Sequence, residues 1–151
     1  MALATVLILC CLVAAIGASI ATPQIHTWYL HLAKPRHSPS TWLFAPAWLI
    51  FYGVMGVAAW LTWRVRAANL RGDALVLFSI QLILNLAWVI AFFTLHRLLV
   101  AAIILLGVWF ALAFTAVLFW QVRRRAGALI LFCLVLLSYA VGLNLVLLRL
   151  N

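Results

Sequence analysis

"LLVAAIILLGVWFALAFTAVLFW", residues Leu98–Trp120, holds no charged side chain. About 20 predominantly apolar residues are enough for a helix to cross the hydrocarbon core of a bilayer, so this run can span by itself. Four similar runs accompany it, at Ala2–Ala21, Phe44–Trp63, Ala74–Phe93 and Gly127–Leu148. Unpaired backbone groups are costly in hydrocarbon, which leaves the helix as the conformation for each run. The breaks "RVRAANLRGD", "LHR" and "QVRRRA" are polar or basic. These runs predict an all-α membrane protein, a five-transmembrane-helix bundle forming one domain over residues 1–151. Short connections predict an up-and-down arrangement in which sequential helices pack together.

Composition agrees. Of 151 residues, 70% are hydrophobic and 7% charged, whereas a soluble domain is roughly half apolar and a quarter charged. Ten Lys and Arg residues face one acid, Asp73. They sit in short loops and form no extended basic face, which argues against nucleic acid and for anionic headgroups as their partners. Conventional catalysis is disfavoured, because one acid permits no carboxylate pair and no triad or metal cluster is visible. Cys10, Cys11 and Cys133 lie in apolar runs and read as small hydrophobes. The first run lacks a basic segment before it and is long for a signal peptide, so it reads as a retained helix.

The loops after the second and fourth helices hold Arg64, Arg66, Arg71, Arg123, Arg124 and Arg125; the other side holds Lys34, Arg36, Arg97 and Arg149. Positive charge favours the inner side, which predicts an inside amino terminus and an outside first loop.

Polar residues inside spans are the best pointers to function. Gln81, Asn85 and Trp88 fall at i, i+4 and i+7 of the third helix, on one face. Trp48, Tyr52 and Met55 repeat that spacing in the second helix. In the fifth, Asn144 follows Ala140 by one turn, and Tyr139 and Gly142 share a face. Such stripes either glue helices together or line a cavity. Trp109, Thr115 and Trp120 carry no spacing signal.

The connection from Thr22 to Leu43 is long for a bundle, and long loops in compact domains are usually functional or disordered. With the residues just beyond it, this region carries Trp28, Lys34, Pro35, Arg36, His37, Pro39, Trp42 and Pro46. Prolines fix φ and lower the entropy lost when a loop closes. Lys and Arg can hold carboxylates at a mouth, though a solvated face and interface anchors would use the same residues. His26, His31, His37 and His96 show no spacing that favours a metal site.

"WYLHLAKP", "SPSTWLFAPAWLIFYGVMG", "QLILNLAW…FF" and "GLNLVLLRLN" together resemble motifs of the translocator protein family, also called tryptophan-rich sensory proteins or TspO/MBR. The resemblance covers nearly the whole chain. It implies a five-helix bundle, often a homodimer, with a pocket under the first loop, residues 22–43, acting as a lid. The ligands it implies are tetrapyrroles such as protoporphyrin IX and haem, along with sterols and benzodiazepine-type compounds; no cofactor is required. Carried over by position, the pocket residues are Trp28, Lys34, Pro35, Trp48, Tyr52, Asn85, Trp88, Ala140 and Asn144, and Gln81 joins them from its helix face. Two departures stand out. The family's Pro-Pro is Pro39-Ser40 here, and its fifth-helix Pro-Tyr-Leu-x-Trp is "FCLVL", ending at Leu136. The light-dependent porphyrin degradation of some relatives uses two pocket tryptophans, of which this chain keeps Trp48. The resemblance therefore implies a ligand-binding sensor or carrier, with a photo-oxidising enzyme and a ligand-free scaffold as the alternatives.

Overall fold

The computed structural model describes residues 3–35, 41–65 and 69–151, and only the backbone of Thr41 and Phe44. Helices α1 (Leu3–His26), α3 (Phe44–Trp63), α4 (Arg71–Val89), α5 (Leu98–Val122) and α6 (Arg124–Leu150) make the bundle, and a short helix α2 (Trp28–His31) lies in the first connection. All five long helices are long and apolar enough to cross a membrane, and the described residues contain no strand. The chain is thus an all-α, five-helix membrane protein. Its faces are sharply divided: on α4, Ile83 is 67% exposed, whereas Asn85 is fully buried. An apolar exterior of this kind is covered by acyl chains, with the amides turned inward.

The helix ends depart from the hydrophobic runs where local bonding extends them. Helix α1 continues beyond Ala21, through Pro23, to His26. Proline removes one backbone donor there. Around it the Thr22 hydroxyl donates to the Ala18 carbonyl at 2.7 Å and the Thr27 hydroxyl to the Pro23 carbonyl at 2.9 Å. The first connection is therefore partly helical: the end of α1, then α2, a non-helical stretch from Leu32 to Pro35, and a 3-10 turn at Thr41–Leu43. Arg36, His37, Pro39 and Ser40 lie outside the described residues. At the other end α6 starts directly after an extended Arg123 (φ −157°, ψ 113°). A Cβ on Gly127 would fall 2.6 Å from the Trp120 Cα, so the α5–α6 turn needs glycine for close approach.

Helix α4 runs into a π turn, Ile90–Thr94. Leu95 N–H donates to the Ile90 carbonyl and Arg97 N–H to the Ala91 carbonyl, both at 3.0 Å. Such wide turns re-aim side chains, and here Phe92 and Phe93, neighbours in sequence, are both buried.

Packing corrects one sequence-based expectation. Helix α5 lies against α4 and α6, α1 against α3, and α3 against α6, but the consecutive helices α3 and α4 meet only sparsely. Large rings stand between them: the Trp48 and Trp88 centroids are 5.3 Å apart. This separation is what leaves room for a cavity.

Candidate functional site: an aromatic cavity between α3, α4 and α6

A cavity of about 380 Å³ lies in this gap. Its aromatic wall comes from Trp48 and Phe51 on α3, Trp88 on α4, Phe92 and Phe93 in the π turn, and Tyr29 on α2. Helix α6 supplies Leu136, Tyr139, Ala140, Leu143, Asn144 and Leu147 among others. The rings brace one another. Trp48 meets Phe51 edge-on at 5.2 Å, Trp88 tilts against Phe92 at 5.7 Å, and Phe92 meets Phe93 at 4.8 Å. Edge-to-face and tilted pairs at these distances are favourable arrangements for aromatic side chains. The lining residues Leu43, Pro46, Ala47, Ile50 and Tyr139 are also exposed, so the cavity opens along the seam between α3 and α6.

Two of the polar groups on this wall are buried and have no hydrogen-bond partner among the described residues: the Trp88 Nε1–H and both ends of the Asn144 amide. Burying an unpaired polar group costs about 1–3 kcal/mol. These atoms are themselves covered, so an indole donor and an amide donor–acceptor pair stand just behind the cavity surface, where a turn of the side chain brings them to the polar edge of an otherwise apolar molecule.

Of the ten residues singled out from sequence, Trp48, Trp88, Ala140 and Asn144 line the cavity, and the other six do not. Trp28 stands behind Phe92, edge-on at 5.4 Å, and stacks on His96 at 4.3 Å. Lys34 reaches the wall through Tyr29, its ammonium 4.3 Å above that ring. Pro35 is partly buried in the segment after α2. Tyr52 is buried one turn before Gly56, whose face meets Leu7 and Cys10 of α1. Gln81 is buried and donates from Nε2 to the Met55 sulfur at 3.7 Å. Asn85 is fully buried, with neither amide atom paired among the described residues. The third-helix face thus turns inward as a whole, but only its Trp88 end reaches the open volume.

Sequence reasoning missed several members. Tyr29 sits on a four-residue helix with no periodic signal, and Phe92 and Phe93 depend on the π turn. Burial raises the Tyr29 phenol above its ordinary value, with Tyr139 nearby adding to the shift, so it stays protonated at neutral pH. Trp109, which lacked any spacing cue, donates to the Ser138 hydroxyl at 2.8 Å and ties α5 to α6 outside the cavity. A Cβ on Gly56 would lie 2.8 Å from Leu7 Cδ2, so this glycine lets α3 approach α1 closely, while Gly53 has nothing within 4 Å. No group of three or more His, Cys, Asp or Glu residues able to hold a metal occurs among the described residues.

Fold and cavity define a multi-pass membrane protein with an internal aromatic pocket. Residues 6–150 match the TspO/MBR family. The chain is 34% identical over 146 residues to the tryptophan-rich protein TspO of Chlorobaculum tepidum, covering 93% of this chain and 90% of that one. It is also 34% identical to a tryptophan-rich sensory protein of Cereibacter sphaeroides, covering 91% and 87% of the two chains. Identity to the human translocator protein is 32%, with 85% and 80% covered. The chain belongs to the TspO/MBR family.

Proposed function

We propose that this protein is an integral membrane sensor or carrier that binds a tetrapyrrole such as protoporphyrin IX in the cavity between α3, α4 and α6. The observation that carries the reading is an aromatic pocket that keeps the Trp88 donor and the Asn144 amide buried and unpaired among the described residues. A pocket of about 380 Å³ falls in the range used for small-molecule sites, roughly 300–1,000 Å³. The opening between α3 and α6 lets the edge of a larger disc project outward.

The ring geometry fixes how a disc would lie. Sandwiching a ring between two others needs about 7 Å between the outer pair, twice a ~3.5 Å contact. Trp48 and Trp88 are 5.3 Å apart, so a planar ligand lies across both indoles, not between them. Lys34, over Tyr29, supplies a cation close to the wall for a carboxylate. The described lining contains no His, Cys or Met, three of the usual axial ligands of haem iron. Tyr29 and Tyr139 are the lining side chains able to reach an iron, so the reading covers haem as well as the metal-free porphyrin. The same pocket chemistry accommodates sterols and benzodiazepine-type compounds less specifically, because they bring no disc to cover both indoles. The reading also includes a homodimer in the bilayer, with the amino terminus and the Arg64, Arg71 and Arg123–Arg125 end inside.

Titration of the purified protein with protoporphyrin IX tests this. Saturable quenching of tryptophan fluorescence is expected, weakened in Trp48→Ala. Quenching that rises linearly without saturation contradicts it.

A further inference from the structure

The segment that follows α2 is held from the opposite end of the chain. The Asn151 Oδ1 accepts a hydrogen bond from the Ala33 N–H at 2.9 Å, and its Nδ2 donates to the Ala33 carbonyl at 3.1 Å. The same Nδ2 donates to the Leu147 carbonyl at 3.0 Å. All the hydrogen-bonding capacity of the Nδ2 group is thereby used, since an amide nitrogen carries two donors. The side chain offers Ala33 the paired donor and acceptor that a neighbouring strand would offer. Leu147, the anchor on α6, lines the cavity.

The contact sits at a useful place. Ala33 lies shortly after α2, whose Tyr29 forms part of the cavity wall, and just before Lys34, whose ammonium covers the Tyr29 ring. At the other end of α2, Trp28 stacks on His96 at 4.3 Å, and the His96 Nε2 is 3.2 Å from Gln24 Oε1. His96 adopts φ 53°, a left-handed conformation unusual for a residue with a Cβ, which packing against Trp28 and Gln24 helps to hold. Helix α2 is therefore fastened at both ends: by an aromatic stack before the cavity wall and by an amide pairing after it. The stack buries ring surface, whereas the amide pairing is exposed. Exposed hydrogen bonds exchange with water at small net cost, so the amide end is the one that can open.

We propose that Asn151 is a positioning residue that latches α2 and the Ala33–Pro35 segment against α6, and so sets how long a ligand stays in the cavity. The inference rests on the proposed reading of that cavity as a ligand site. Asparagine suits the task because it offers a donor and an acceptor at one side-chain end. Aspartate would place a carboxylate against the Ala33 and Leu147 carbonyls and repel both. Alanine would leave the Ala33 N–H and carbonyl to water.

The test uses the full chain in lipid nanodiscs, comparing wild type with Asn151→Ala and Asn151→Asp. Three quantities are measured: hydrogen exchange at the Ala33 amide without ligand, the dissociation rate of protoporphyrin IX by stopped-flow fluorescence, and the ligand-free Tm. Both variants should exchange Ala33 faster and keep a Tm close to wild type. Dissociation should accelerate on the order of five- to tenfold, the loss of two exposed hydrogen bonds, more in Asn151→Asp than in Asn151→Ala. Association should change little. Unaltered Ala33 exchange would show that no latch exists. Faster exchange with unaltered dissociation would show that the latch does not govern residence, and either result overturns the proposal. If wild type shows no saturable binding, the ligand reading fails and the residence claim falls with it; faster Ala33 exchange in the variants separates that outcome from a missing latch.

Discussion

Asn144→Leu puts opposite signs on stability and binding. The Asn144 amide is buried on the cavity wall with neither end paired among the described residues. An unsatisfied buried polar group costs about 1–3 kcal/mol, and leucine has nearly the same shape without that cost. The ligand-free variant should therefore be more stable by about 1–3 kcal/mol, or roughly 2–4 °C in Tm for each kcal/mol in a chain of this size. If Asn144 were instead interhelical glue, leucine would destabilise by about 0.6 kcal/mol. The sign alone separates the two accounts. Binding should move the other way: losing one hydrogen bond, about 0.5–1.5 kcal/mol, weakens protoporphyrin IX roughly two- to tenfold. Asn85→Leu serves as the control, because Asn85 is equally buried and unpaired but does not line the cavity. It should raise Tm and leave affinity unchanged. The assay is thermal unfolding followed by tryptophan fluorescence, with and without protoporphyrin IX, since a ligand at free concentration L that binds the folded state stabilises it by RT ln(1 + L/Kd). The reasoning is refuted if Asn144→Leu lowers the ligand-free Tm, or raises it with binding intact.

Other consequences can be checked in the same way. Ala140→Trp projects an indole into the cavity from α6 and should abolish saturable quenching while the protein still folds, as judged by circular dichroism and monodisperse elution. Leu136→Trp adds a third indole to the cavity wall, beside Trp48 and Trp88; it should tighten protoporphyrin IX binding and, under illumination, bleach the Soret band faster than the wild type does. Gly127→Ala should destabilise by about 1–3 kcal/mol, the usual cost of overpacking, because its Cβ would meet the Trp120 backbone. Gly56→Ala should cost less in the same unfolding assay, since the obstructing atom is the movable end of Leu7.

Legibility from sequence followed the range of the physical signal. Five uncharged or nearly uncharged runs of spanning length are a long-range pattern, and five helices answer to them. The i, i+4, i+7 rule placed Gln81, Asn85 and Trp88 on one inward face, where all three are buried. Facing inward is not the same as facing open volume, however. Gln81 meets Met55, and Tyr52 lies on the stripe that leads to α1, distinctions that depend on which helices adjoin. Helix order was read as packing order, yet Trp48 and Trp88 hold α3 and α4 apart. A π turn has no 3.6-residue signature, so Phe92 and Phe93 could not be assigned to the wall by periodicity. Asn151 was visible only as the last letter of a motif; its pairing with Ala33 spans 118 positions and leaves no local trace.

The central claim is that the gap between α3, α4 and α6 receives a planar ligand across two indoles. A structure of the protein with protoporphyrin IX in lipid tests it most directly. The disc should cover both Trp48 and Trp88, with the Asn144 amide and Trp88 Nε1 within hydrogen-bond distance of its atoms. A porphyrin found only on the lipid-facing surface, with the cavity unchanged, would contradict the account.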